Sequence, residues 1–384
     1  MKVDLAITGA CAATALGFGA EWGMHAVRCG SSRLELQRLP DRAREWIPGG
    51  RVPLQGPGLY ENRLAELAAV TARTALDRAG FASPRGLRLA VLLGLPDEVG
   101  RPGHSFPGPD RELSGWLGEV LGVVPVEVAT MAFGSCSAQG CLARASELLA
   151  RRGVEACLVG AADSLLQLRI VRWLEEQGRL ACSYANDGLR PGEGTAFFVV
   201  ESSERAATRK APVLARVLAT TARQEEATIE SDRPNTARGL TDAARAALVE
   251  AGVPARAVGS VFADLNGESY KAREWAVCET RLGIAADVAL VHPADAYGDL
   301  GVATDAGLVA LAAMALASDW LPGPALVFAG ADIGIRACSV LVAAPERAAG
   351  VAQVTRLQPA IVPAGFELSS LGPDDPDPAE AEDP

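Results

Sequence analysis

Gly134-Ser135-Cys136-Ser137-Ala138-Gln139-Gly140-Cys141-Leu142 is the stretch on which the reading of this chain turns. Before it, Val123-Val124-Pro125-Val126-Glu127-Val128-Ala129 is an apolar run that reads as strand or buried extended chain. After it, Leu142, Ala145, Leu148 and Leu149 recur at helical spacing. A cysteine among small residues at a helix start is expected on a sharp turn. Its sulfur would be exposed, with the first unpaired helix N–H groups and the dipole close by. Such a position lowers a thiol's pKa and makes Cys136 a candidate nucleophile. The neighbouring N–H groups can also hold the oxyanion formed when a thiolate attacks an acyl carbonyl. The competing reading is a buried small-residue turn, since free cysteine is among the most buried residue types.

Composition narrows the classes. With 384 residues, 49% hydrophobic and 22% charged, the chain can build a large core as one big domain or two ordinary ones. A net charge of −11 and only 5% aromatic residues argue against nucleic acid and against anionic membrane surfaces. Six of the negatives sit between Asp374 and Asp383, leaving about −5 for the rest. The eight cysteines are scattered, with no C-x-x-C pair, which predicts reduced thiols in a cytoplasm and no metal site. No apolar run reaches the roughly 20 residues that a membrane span needs, and the amino terminus is a poor signal peptide. The glycines of Gly9 to Gly19 do not follow G-x-G-x-x-G and are read as a packing turn, so no cofactor is expected.

Along the chain, strands and helices alternate in two successive runs. The first has strands at 3–8, 87–93, 156–160 and 196–200, with helices at 21–28, 65–79, 113–121, 142–152 and 166–176. Residues 35–58 and 94–111 read as loops, the second holding His104, a candidate substrate or partner contact. The second run has strands at 213–221, 260–265, 288–291, 325–329 and 338–343, and helices at 241–251, 273–281 and 307–317. Each run ends on adjacent strands, so an α/β architecture with mostly parallel sheets covered by helices is expected.

The cysteine turn and this two-run order resemble the β-ketoacyl synthases of the thiolase-like superfamily. Ile7-Thr8-Gly9 through Leu16-Gly17 is similar to the family's first strand and turn, and Gly134 to Ala138 to its acyl-accepting cysteine elbow. Val159-Gly160-Ala161-Ala162-Asp163-Ser164 resembles a further strand and turn, and Asp187-Gly188-Leu189-Arg190-Pro191-Gly192-Glu193-Gly194 its Asp-Gly and Gly-Glu-Gly segment. The resemblance implies two duplicated βαβαβαββ halves in a five-layered α-β-α-β-α sandwich. The halves are expected at residues 1–205, carrying Cys136, and 206–345, followed by an acidic, Pro-rich and disordered tail at 346–384. A dimer is implied, with itself or with a ketosynthase homologue, its interface including residues 123–130.

The chemistry that the resemblance implies is acyl transfer. Cys136 would take an acyl group from an acyl-carrier-protein or CoA thioester, in fatty-acid, polyketide or specialised metabolism. The family adds two residues, commonly histidines, that hold the malonyl carbonyl during decarboxylation. Here Asn266 of Asn266-Gly267 and Asp299 of Gly298-Asp299 stand in their places. Asn266 can donate a hydrogen bond but is no base, and an ionised Asp299 opposes a developing enolate. His292, seven residues before Asp299, is the only histidine near the expected site, His25 being a surface or packing residue. The family's lysine before the second histidine has no match in Pro293 to Ala296, and its Gly-Phe-Gly-Gly segment reads Gly330-Ala331-Asp332-Ile333-Gly334. Two functions follow. One is an acyltransferase working through Cys136 without ordinary condensation; the other is a non-catalytic partner like the chain-length-factor subunits of active ketosynthases.

Overall fold

The computed structural model describes residues 4–53, 60–97, 101–102, 118–151 and 153–344. The first half contains β1 (Leu5–Thr14), β2 (Gly17–Phe18), α1 (Ala20–Arg28), β3 (Glu35–Pro40), β4 (Trp46–Gly49), α2 (Tyr60–Arg78) and β5 (Leu89–Gly94). It continues with β6 (Glu127–Met131), α3 (Ser137–Leu149), β7 (Ala156–Ser164), α4 (Leu168–Glu176), β8 (Glu193–Ser202) and α5 (Ser203–Thr208). The second half contains β9 (Ala215–Gln224), α6 (Arg238–Ala251), β10 (Ser260–Ala263), α7 (Ser269–Leu282) and β11 (Ala289–Val291). It closes with α8 (Ala294–Tyr297), α9 (Ala303–Ala317), β12 (Ala325–Gly330) and β13 (Ile335–Ala343).

The strand order is β11-β10-β12-β13-β9-β1-β8-β7-β5-β6. Split between β9 and β1, it is the same order twice, third-second-fourth-fifth-first once the small strands β2 to β4 are set aside. Within each half the inner three strands run parallel and the fifth is antiparallel to both neighbours. The halves meet where β1 pairs antiparallel with β9, Leu5 opposite Val217.

Burial explains the layering. β5, β7 and β8 are buried on both faces, so their sequences are continuous apolar runs without alternation. α9, Ala303–Ala317, is buried all round, the composition of a helix enclosed by protein on every side. With α3 it forms the middle layer, sharing one core with strands of both halves. α2 covers β1, β7 and β8 from outside, and α6 and α7 cover the second half, where Trp275 stacks on Phe328 at 4.9 Å. The result is the α-β-α-β-α sandwich. No described helix is long and apolar enough to cross a membrane.

Two expectations are corrected here. The first strand runs on to Thr14, because its small residues Ala10, Cys11, Ala12 and Ala13 remain paired with β8. Residues 35–49, read as loop, form the hairpin β3–β4. Its polarity is inverted: Gln37 is buried and donates to the Gly49 carbonyl at 2.9 Å, while Leu36 is 67% exposed. His104 and the tail from 346 lie outside the described residues, as does most of the helix expected at 113–121.

Candidate functional site

A short 3-10 turn, Gly134–Cys136, leads into α3, so Cys136 stands at the helix N-terminus as expected. Gly134 sits at φ +52°, where a side chain would be strained and its Cβ would fall 2.6 Å from Asp97. The expectations for the sulfur are overturned. Cys136 is 1% exposed and packs against Ala329, Ala331 and Ala337. Its Sγ lies 3.1 Å from the Ala329 carbonyl and 3.3 Å from that of Ile335, acceptors that favour S–H over S⁻. Burial pushes the thiol well above its ordinary pKa, and the Asp305 and Asp264 carboxylates push it further, against Arg336 and Lys271.

The helix N-terminus that was to activate this thiol is already occupied. Asp305, reaching from α9, accepts the Gln139 N–H at 2.8 Å and the Gln139 Nε2 at 3.0 Å, and the Ala138 N–H also favours its charge. The Cys136 N–H donates to the Phe133 carbonyl at 3.0 Å and the Ser137 N–H to Gly134. Gln139 Oε1 accepts from Ser339, which ties this corner to β13. Every backbone donor from 136 to 139 is thus engaged, and none points at a vacant oxyanion position. Asp305 itself is pushed up to about 7, chiefly by burial.

Asn266 and Asp299 are brought together, bound to each other. Asn266 donates Nδ2 to Asp299 at 2.7 Å and to Glu268 at 3.0 Å. Asp299 is also a cap for α9, accepting the Gly301 N–H at 2.8 Å and the Thr304 hydroxyl at 3.2 Å. The Asp187–Gly194 segment explains how Asp299 is held. Its Gly192 N–H donates to the Asp299 carbonyl, and the Asp299 N–H to the Arg190 carbonyl, each at 2.8 Å. Gly192 has no room for a side chain, since a Cβ would meet the Tyr297 carbonyl at 2.6 Å. Asp187 accepts from the backbone and hydroxyl of Ser269, capping α7.

Around this pair the sequence reading missed a set of ion pairs. Arg179 bonds both Glu268, at 2.7 Å, and Asp332, at 2.6 Å. Burial raises the Asp332 carboxyl, but Arg179 outweighs it and holds it below its ordinary range. Lys271, from α7, reaches Asp264 at 2.6 Å, and Asp264 also accepts the Gly330 N–H. Lys271 and Asp299 line the same cleft, so a lysine does stand there, although not where the family pattern places one. Arg101 forks onto Asp163, which accepts the Val302 N–H at 2.9 Å. The only signals for these residues in the sequence were isolated charges in otherwise apolar or glycine-rich stretches.

The cleft beside Gly134 and Ser135 therefore differs from the enclosed apolar pocket expected. About 50 Å³ is free, and Arg101, Arg179, Lys271, Asp299 and Asp332 are among its walls. His292 is not part of it. Its Nδ1 lies 2.9 Å from Asp295, and it lines a separate surface hollow with Val27 and Trp320. Among the described residues no cluster could hold a metal ion.

No family model and no curated protein sequence matches the chain. Solved structures do. A type II polyketide-synthase acyl-carrier protein in complex with its ketosynthase bound to the hexaketide aligns with a TM-score of 0.74 and 16% identity, over 90% of this chain and 100% of that one. The ishigamide ketosynthase/chain length factor aligns with 0.73 and 20%, over 90% and 100%. A ketosynthase in complex with its chain length factor from Xenorhabdus doucetiae gives 0.69 and 16%, over 89% and 98%. At these identities the likeness is one of fold. The chain has the thiolase-like fold of the ketosynthases, in a strongly diverged sequence.

Proposed function

We propose that this protein is a non-catalytic, ketosynthase-like subunit that pairs with an active ketosynthase, in the manner of a chain length factor. The observation that carries this reading is the state of the elbow. Cys136 is buried and its thiol faces two carbonyl oxygens, while Asp305 takes the helix N–H groups that would lower its pKa. Removing one oxyanion donor from an acyl-transfer site typically costs about 3–4 kcal/mol of barrier. Here the nearby donors are all committed, and Asn266 and Asp299 satisfy one another in place of a substrate carbonyl. Two of the structures it resembles are themselves ketosynthases with chain length factors.

The outer edge supports a pairing role. β6 is hydrogen-bonded to β5 on one side and ends the sheet on the other. Next to it Val124 is 78% and Val126 52% exposed. An apolar edge strand in water is a template for association. Co-expression with ketosynthases of the same genome, followed by size-exclusion chromatography with light scattering, should yield a one-to-one heterodimer. A stable homodimer that ignores every such ketosynthase would refute the pairing.

A second reading, acyl transfer through Cys136 from an acyl-carrier-protein or CoA thioester, is favoured by one observation. The thiol stands at the N-terminus of α3, where an acyl-accepting cysteine would be. Intact-mass measurement after incubation with acyl thioesters decides between the two. The partner reading expects no adduct on Cys136, and a stoichiometric acyl adduct lost in Cys136→Ala would establish the transferase.

A further inference from the structure

Far more open space lies in the hollow that His292 lines than in the central cleft. It holds about 370 Å³ between the end of α1, the edge strand β11 and the segment after α9, against about 50 Å³ at the centre. Small-molecule sites begin at about 300 Å³ and are largely apolar with a few placed polar groups. This hollow fits that description. Val27, Leu290 and Trp320 give it apolar walls.

Two polar groups break that lining. Arg28, the exposed last residue of α1, makes no hydrogen bond or ion pair with any described residue. His292 has its Nδ1 tied to Asp295 at 2.9 Å, which sets the ring and leaves Nε2 uncommitted. Since Asp295 already has a partner, the uncompensated charge in the hollow is the guanidinium. A planar guanidinium matches the two oxygens of a carboxylate better than any other common anion of one charge.

We propose that this hollow is a binding site for a small apolar carboxylate. Arg28 holds the acid group, His292 Nε2 supplies a second hydrogen bond, and the hydrocarbon body lies against Leu290 and Trp320. The site is separate from Cys136 and rests on none of the geometry there.

Calorimetric titration of the full-length protein with decanoate tests it, with decanol as the uncharged control. Decanoate should bind saturably, at least ten-fold more tightly than decanol, and Arg28→Ala should weaken it ten-fold or more. Arg28 is exposed at a helix end, so an unchanged melting curve will show that the variant is folded. Three results would each overturn the proposal: no saturable decanoate binding, decanol binding as well as decanoate, or unchanged affinity in Arg28→Ala.

Discussion

Taking the proton from Cys136 would set a negative sulfur 3.1 and 3.3 Å from two carbonyl oxygens, in the field of Asp305 and Asp264. The thiolate is the reactive form of cysteine, so alkylation follows exposure and pKa together. Cys29 is the exposed thiol of the eight. Iodoacetamide at neutral pH with peptide mapping should therefore label Cys29 first and leave Cys136 unmodified until the protein is unfolded. Early labelling of Cys136 would mean that the elbow opens in solution. Asp305 gives a second test at this scale. Burial raises its carboxyl from 3.8 to about 7, with Gln139 opposing. The folded protein thus holds that proton more tightly than the unfolded chain does. The stability it contributes is fully present below about pH 4 and is lost as pH rises through 7. In urea titrations, the advantage of the native protein over Asp305→Asn should shrink between pH 4 and pH 7.5. A difference independent of pH would mark Asp305 as an ordinary carboxyl.

Between elements, the ion pairs around the central cleft join loops and helices that the chain keeps far apart. Arg179 follows α4, Glu268 precedes α7, and Asp332 lies in the turn from β12 to β13. Removing one partner of a buried pair strands the others, at a cost of about 3–5 kcal/mol. Arg179→Ala should lower the unfolding free energy by about 3 kcal/mol in urea, and a change below 1 kcal/mol would show that Glu268 and Asp332 reach water instead. Sequence patterns located most of the elements that these pairs connect. The α6, β10, α9 and β12 segments stand within a few residues of where apolar periodicity put them, because burial wrote that periodicity. The hairpin β3–β4 was not legible, since it buries Gln37 and exposes Leu36. Nor was the closed state of the site. Cys136, Asn266 and Asp299 could be picked out one by one, but whether a donor is free or taken depends on Asp305 and Glu268, remote in sequence.

On the scale of the whole molecule, the sheet ends at β6 with Val124 and Val126 exposed beside it, and this edge is where the proposed partner would add. Val126→Glu puts a charge into that contact at little cost to the fold, since the side chain is 52% exposed. Light scattering should find the variant monomeric where the native chain is paired. Pairing that survives the substitution would move the interface elsewhere.

The middle layer has one more property. The N-terminus of α3, in the first half, is closed by Asp305 from the second, and the Val302 N–H at the start of α9 is met by Asp163 from the first. Each half thus finishes a helix for the other. A chain cut in the connection between α5 and β9 would give two fragments, each with an open helix end and half of a shared core. Neither fragment is equipped to hold its shape alone, and mixing them should restore both. The duplicated architecture would then behave as a split protein whose pieces recognise each other through exchanged carboxylates, with no linker needed.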